Sequence, residues 1–314
     1  MICVCCGKAV RGDTTGAAWH KSCIKAFFGT TELPALGIDD AALKLLAEES
    51  INRGCTVPGV QKKLSLRLSD LGAKKPRLTL VNYPTGYILK PQTDDYKNLP
   101  EAEHLVMTMA RGAGIKTVPF ALLDLNGKLA YITKRIDRVS DGENVKLLAM
   151  EDFCQLDGRL TQDKYKGSYE RCAKIIKEYS CRSGIDLSEF FIRIVFSYIV
   201  GNSDMHLKNF SLIETERGKY VLSPAYDMLP VNVILPEDNE QLALTLNGKK
   251  RNVRRNDFLS LAESCGISRT AAAKMIESVA SRKDRFFALC DLSFIPEDMK
   301  DGLKSLIRSR IAAL

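Results

Sequence analysis

The sequence predicts an α+β fold in two lobes, the first strand-rich and the second all-helical, with a small metal-binding segment at the N-terminus. Three observations carry this. Short apolar or alternating runs bounded by turn residues fill the chain up to Met150, whereas beyond it apolar residues recur at helical spacing, and cysteines with a histidine crowd the first 23 residues. The expected boundaries are 1–35 for the metal segment, 36–149 for the first lobe and 150–314 for the second.

At the N-terminus Cys3-x2-Cys6-Gly7 is followed by Trp19-His20-x2-Cys23. Two ligand pairs of that spacing suit tetrahedral Zn2+ held by Cys3, Cys6, His20 and Cys23, which closes the shell and makes the metal structural. Cys5 is the spare thiol, and Trp19 packs over the site. Residues 39–51 repeat Leu43, Leu46 and Ala47 behind Asp39-Asp40 and predict a linker helix. Residues 64–68 alternate as a strand, preceded by the turn Pro58-Gly59. Strands are expected at 78–82 and 86–90. Asn98-Leu99-Pro100 opens a helix acidic in its first turn at Glu101 and Glu103. The dipeptide Asn126-Gly127 predicts a hairpin between strands 120–125 and 129–133. Helices are expected at 151–156, 168–180, 187–200, 255–265, 269–281 and 297–313. The basic run 249–255 lacks interleaved aromatics and reads as a solvated loop or helix start, with a contact to acidic protein or nucleic acid as the alternative.

Composition places the chain among soluble globular proteins, with 45% hydrophobic and 27% charged residues and no apolar run of membrane-spanning length. No basic-then-apolar leader opens it, so a cytoplasmic chain with no membrane partner is expected. In that reducing compartment ten clustered and scattered cysteines favour metal over disulfides. The net charge of +8 admits a polyanionic partner such as a nucleotide or nucleic acid.

Residues 201–230 concentrate the chemistry. Asp204 is followed five positions later by Asn209, and Asp227 lies beyond a turn and the short strand 220–222. Phosphoryl transfer needs a carboxylate to accept the hydroxyl proton and hard oxygen ligands for Mg2+, and kinases order base and metal ligands this way. The same residues also suit turns and caps, so the rest of the chain decides. Lys90 ends an apolar strand, where a kinase places the lysine that meets nucleotide phosphates, and Glu103 on the next helix is its candidate partner. The segment 134–138 falls where a hinge would contact adenine.

Six motifs then occur in order: Thr56-Val57-Pro58-Gly59-Val60-Gln61, Ile88-Leu89-Lys90-Pro91, Asn98-Leu99-Pro100-Glu101, Glu151-Asp152-Phe153-Cys154-Gln155, Gly201-Asn202-x-Asp204-x-His206-x-Lys208-Asn209, and Pro224-x-Tyr226-Asp227. Together they resemble the HipA-type serine/threonine kinases, toxins of bacterial toxin-antitoxin pairs, over residues 50–310. The resemblance implies a bilobal protein-kinase-like fold with Asp204 as catalytic base, Asn209 and Asp227 as Mg2+ ligands, and Lys90 at ATP. It also implies a phosphate-covering loop through Val57, Gly59, Val60 and Gln61, with Thr56 at the autophosphorylated position. The implied substrate is an aminoacyl-tRNA synthetase, and the implied partner is a HipB-like helix-turn-helix antitoxin that joins the protein to operator DNA. His206 and Lys208 stand among the candidate cofactor-binding residues and read better as supports within the loop than as catalysts.

Two departures stand out. Longer members have a larger N-terminal subdomain where this chain has the zinc-like segment, so a separate small protein is expected to supply the missing piece. Lys134 and Ile136 stand where the hinge of the best-known members is acidic and aromatic, which leaves backbone contacts to adenine. Two other readings stay open: a catalytically silent nucleotide-binding co-repressor, and a kinase for a lipid or small molecule.

Overall fold

A computed structural model describes residues 2–10, 18–36, 63–69, 76–80, 86–141 and 144–314, and it divides into two compact units. The first comprises 1–104 and 118–138, the second 105–117 and 139–314. Among the described residues no helix is long and apolar enough to cross a membrane. The linker helix expected at 39–51 and the phosphate-loop residues Thr56 to Gln61 lie outside the described residues.

The first unit is built on a six-stranded sheet. Its strands are β1 (Ala35–Leu36), β2 (Leu64–Ser69), β3 (Arg77–Leu80), β4 (Tyr87–Lys90), β5 (Phe120–Leu125) and β6 (Lys128–Lys134), in the order β1-β3-β2-β4-β6-β5. Asn126 and Gly127 join β5 to β6 at φ 52° and 81°. Positive φ at both positions gives the turn whose twist matches the strands. One sheet face is covered by helix α1 (Lys21–Phe28), which the sequence reading did not include. Its Ile24, Phe27 and Phe28 join Leu64, Leu66, Leu89, Ala121, Leu123 and Ile132 in one core, with Trp19 packed against it. Trp19 lies 5.7 and 5.5 Å from the rings of Phe27 and Phe28, which in turn meet Tyr87. Helix α2 (Leu99–Gly112) begins in this unit, as Asn98-Leu99-Pro100 predicts.

Strands β7 (Arg138–Asp141) and β8 (Asn144–Leu147) form a separate two-stranded sheet. The second unit is helix-rich but not all-helical, which corrects the expectation. It carries a three-stranded antiparallel sheet of β9 (Met150–Asp152), β10 (Ser211–Glu216) and β11 (Lys219–Leu222). Residues 151–156 therefore begin as a strand. Glu151 and Asp152 pair with Leu212 and Ser211, and only Phe153–Leu156 forms the short helix α3. Asp152 caps it, its carboxylate accepting from Gln155 N while Gln155 Oε1 accepts from Asp152 N, a reciprocal capping box.

Helix α4 (Tyr169–Tyr179) is capped by Ser168. Helix α5 (Ser183–Val200) starts four residues before the expected 187 and is buried almost throughout. It anchors an aromatic core: Phe190 lies 5.2 Å from Phe210, Phe196 5.8 Å from Phe286 and Tyr198 5.2 Å from Phe258. The short helix α6 (Val231–Ile234) precedes α7 (Arg255–Ser264), α8 (Arg269–Ala280), α9 (Lys283–Asp291) and α10 (Glu297–Ala312). Of these α6 and α9 were not anticipated.

Gly201 ends α5 at φ 71°, a left-handed cap, and its amide bonds Tyr198 O at 3.3 Å. A Cβ there would press inside contact distance on Leu306 Cδ2 and lie 3.3 Å from Asn232 Cβ. Gly201→Ala combines left-handed strain with overpacking, and chemical denaturation should show a loss of about 2–4 kcal/mol.

Candidate functional site

In the first unit, residues of β4 alternate between the two sheet faces. Tyr87 and Leu89 join the α1 side, so Lys90 emerges on the other. Its Nζ donates to Glu103 Oε1 at 2.6 Å, with the two side chains 5% and 0% exposed. The same ammonium sits 5.3 Å from the ring centre of Tyr131 on β6. Glu101, two residues earlier on α2, accepts from Asn98 Nδ2 at 3.3 Å, and burial raises its pKa. The expected Lys90–Glu103 pair is thus brought together.

At the end of β6 the backbone N–H groups of Lys134 and Arg135 are already engaged, with Pro119 O at 3.0 Å and Gly86 O at 2.8 Å. Lys134 and Ile136 are partly exposed. Between them the Arg135 guanidinium forks onto both carboxylate oxygens of Asp137, at 3.0 and 2.6 Å. Burial opposes ionisation of Asp137, but the bond and charge of Arg135 outweigh it and hold the carboxyl below its usual range.

In the second unit the loop after Gly201 folds back on itself. Asn209 Nδ2 donates to Asp204 O at 2.8 Å, His206 N to the same carbonyl at 2.8 Å, and Asn202 Oδ1 accepts from Asp204 N at 3.4 Å. Since its amide nitrogen is committed, Asn209 has Oδ1 as the atom that could hold a metal. Asn202, Ser203, His206 and Asn209 are buried, whereas the Asp204 side chain stays 43% exposed. Lys208 bonds Asp152 Oδ2 at 2.7 Å, the carboxylate that also caps α3. His206 lies with Nε2 4.0 Å from Asp204 Oδ1.

Asp227 stands at φ 59°, left-handed and half-buried, at the end of a firmly tied segment. Arg193 donates to Ser223 O at 2.7 Å, Asp186 accepts from Leu222 N at 2.7 Å, and Ala225 N reaches Lys116 O at 2.7 Å. Tyr226, whose pKa burial pushes up, bonds Ser211 Oγ at 2.5 Å and Lys208 O at 3.1 Å. Asp204, Asn209 and Asp227 are thus mounted on two segments stitched together by Tyr226. Sequence reasoning missed the roles of Arg193 and Asp186. A wholly buried charge inside the apolar run of α5 was the signal for Arg193, and burial lowers its pKa although Glu189 opposes this. Tyr165, whose hydroxyl meets Asp204, carried no signal at all.

At the N-terminus the ligand atoms of Cys3, Cys6, His20 and Cys23 all lie within 4.8 Å of one another. His20 Nε2 lies 3.0 Å from Ala9 O, so that nitrogen carries the proton and Nδ1 faces the thiols, 3.4 Å from Cys6 Sγ and 3.8 Å from Cys23 Sγ. Burial opposes ionisation of Cys3, yet hydrogen bonds from the backbone of Cys6, His20 and Cys5 bring its pKa to about 7. Gly7, at φ 71°, turns the knuckle, and Leu122 N bonds Val4 O at 3.2 Å, fastening it to β5.

Residues 55–285 match the family model of the HipA-like C-terminal domain. A protein of Haemophilus influenzae named "Putative kinase" is 28% identical over 293 residues, covering 83% of this chain and 82% of that protein. The serine/threonine-protein kinase toxin HipA of Shewanella oneidensis is 24% identical over 262 residues, and the match spans 77% of this chain but 59% of the toxin. The structure of the Shewanella HipA, HipB and operator DNA complex aligns with TM-score 0.69 at 20% identity, over 84% of this chain and 70% of that one, which shows a shared fold.

Removing one partner of the buried Lys90–Glu103 pair costs the other its 2.6 Å charged bond. Glu103→Ala should lower stability in chemical denaturation by about 3–5 kcal/mol, and most of that loss should return in the apolar double variant Lys90→Met, Glu103→Leu.

Proposed function

This chain belongs to the HipA-like C-terminal domain family, and on that premise we propose that it is an ATP-dependent serine/threonine protein kinase of a toxin-antitoxin system. The observation that carries the reading is the buried Lys90–Glu103 ion pair at 2.6 Å, since kinases require a strand lysine and a helix glutamate in contact. In this reading Asp204 accepts the proton of the acceptor hydroxyl. Its exposed carboxylate on an otherwise buried loop suits that task. Asn209 Oδ1 and the Asp227 carboxylate are hard oxygen donors fit for Mg2+, and Lys90 meets the nucleotide phosphates. Magnesium supplies charge neutralisation on the phosphates being transferred. Lys208 and His206 support the loop, as the Lys208–Asp152 bond suggests. Because the N–H groups of Lys134 and Arg135 are taken, adenine would be held by the backbone beyond them, at Ile136 or Asp137.

The finer assignments follow from the family. They are a cytoplasmic protein that phosphorylates an aminoacyl-tRNA synthetase, autophosphorylates at Thr56, and partners a HipB-like antitoxin on operator DNA. A separate small protein in place of the longer members' N-terminal subdomain belongs to the same reading. Incubation with γ-labelled ATP tests the kinase. Label should reach the chain and protein acceptors in the wild type and fall at least about a hundredfold in Asp204→Asn. Equal labelling by the two proteins would refute the assignment of Asp204.

We further propose that Cys3, Cys6, His20 and Cys23 bind one structural Zn2+. Three sulfurs and an imidazole whose other nitrogen is already fixed by a carbonyl are the donor set this metal prefers. The knuckle leads directly into α1, which covers the sheet, so the metal stabilises the first unit's core as well as its own loop. Elemental analysis should find near one zinc per chain. Chelation or Cys6→Ser should lower the thermal midpoint, whereas a metal-free protein of undiminished stability would contradict the assignment.

A further inference from the structure

Tyr165 sits in the loop between α3 and α4, and its hydroxyl donates to Asp204 Oδ1 at 2.5 Å. Burial and then the neighbouring charge of Asp204 raise the phenol's pKa, so the group stays protonated and the contact is an O–H donated to a carboxylate. That is the arrangement a general base requires of the hydroxyl it will deprotonate. The ring meets His206 edge-on at 5.0 Å and lies 4.9 Å from the Lys164 ammonium.

The other polar contacts that shape this loop come from buried or half-buried groups. Asn209 is enclosed, and Tyr226 bridges two partners. Tyr165 differs in that it remains 43% exposed, extends from a loop, and makes a single hydrogen bond through its hydroxyl. Swinging it outward costs that bond and the ring's contacts with His206 and Lys164. Resting on the assignment of Asp204 as base, we propose that Tyr165 is an internal surrogate for the acceptor hydroxyl. A serine or threonine of a protein substrate reaches Asp204 by displacing the Tyr165 phenol, and the competition between the two hydroxyls sets acceptor affinity.

The test compares wild type, Tyr165→Phe, Tyr165→Leu and Asp204→Asn in steady-state transfer from γ-labelled ATP to dephosphorylated casein, a generic serine/threonine acceptor. Tyr165→Phe keeps the ring against His206 and removes only the competing hydroxyl. The KM for casein should fall about three- to tenfold in both Tyr165 variants, the range expected from losing one half-exposed hydrogen bond of ordinary net strength, while the KM for ATP holds. A casein KM that is not lowered in either variant overturns the proposal, whatever happens to kcat, and leaves Asp204 as base provided Asp204→Asn is inactive. Full labelling by Asp204→Asn instead removes the base assignment itself, and this inference with it.

Discussion

The bond from the Asn209 amide to the Asp204 carbonyl closes a loop that is polar in sequence and buried in structure. Leaving a buried donor or acceptor unmatched costs about 1–3 kcal/mol, so such a loop gains from having most of its groups met from within, Asn202 Nδ2 being an exception. Here partners come from several directions: Asp238 takes the Ser203 hydroxyl, Asp152 takes the Lys208 ammonium, and Lys164 O takes the Leu207 amide. The aromatic core around α5 supplies the dry surroundings that make those bonds directional. Against that background the Asp204 side chain keeps 43% of its exposure, the contrast that the base proposed here would use.

The N-terminal segment has a larger part in the fold than its motif implies. By spacing alone it is a metal knuckle outside the core motifs, yet Trp19, Phe27 and Phe28 continue from it into the main cluster of the first unit, and Tyr87 donates to Phe27 O at 3.2 Å. Lys90 follows Tyr87 and Leu89 on the same four-residue strand. The packing that seats α1 on one face of β4 therefore also fixes where the lysine leaves the other face.

Much of this was legible in the residues. The Asn126-Gly127 hairpin, the helix opened by Asn98-Leu99-Pro100 and the pairing of Lys90 with Glu103 rest on short-range signals that propensity and spacing carry well. What escaped was non-local. Glu151 and Asp152 resemble an acidic helix start, and only their pairing with Leu212 and Ser211 makes them a strand. Helix α9 follows α8 after two residues, so no breaker marks its start. Tyr165 lies in a loop 39 residues from Asp204, and no periodicity announces such a contact. The charge of Asp186 looks like an ordinary helix start, and that of Arg193 stands out in its apolar run without indicating a partner; the structure shows both fastening the strand that leads to Asp227.

The central claim is that two tied segments present an amide oxygen and a carboxylate as one magnesium site serving ATP. Calorimetric titration of ATP into the wild type and Asp227→Ala, with and without magnesium, tests it most directly. The account predicts binding that depends on magnesium in the wild type and is lost or weakened more than about tenfold in Asp227→Ala. Binding indifferent to both the metal and the substitution would contradict it.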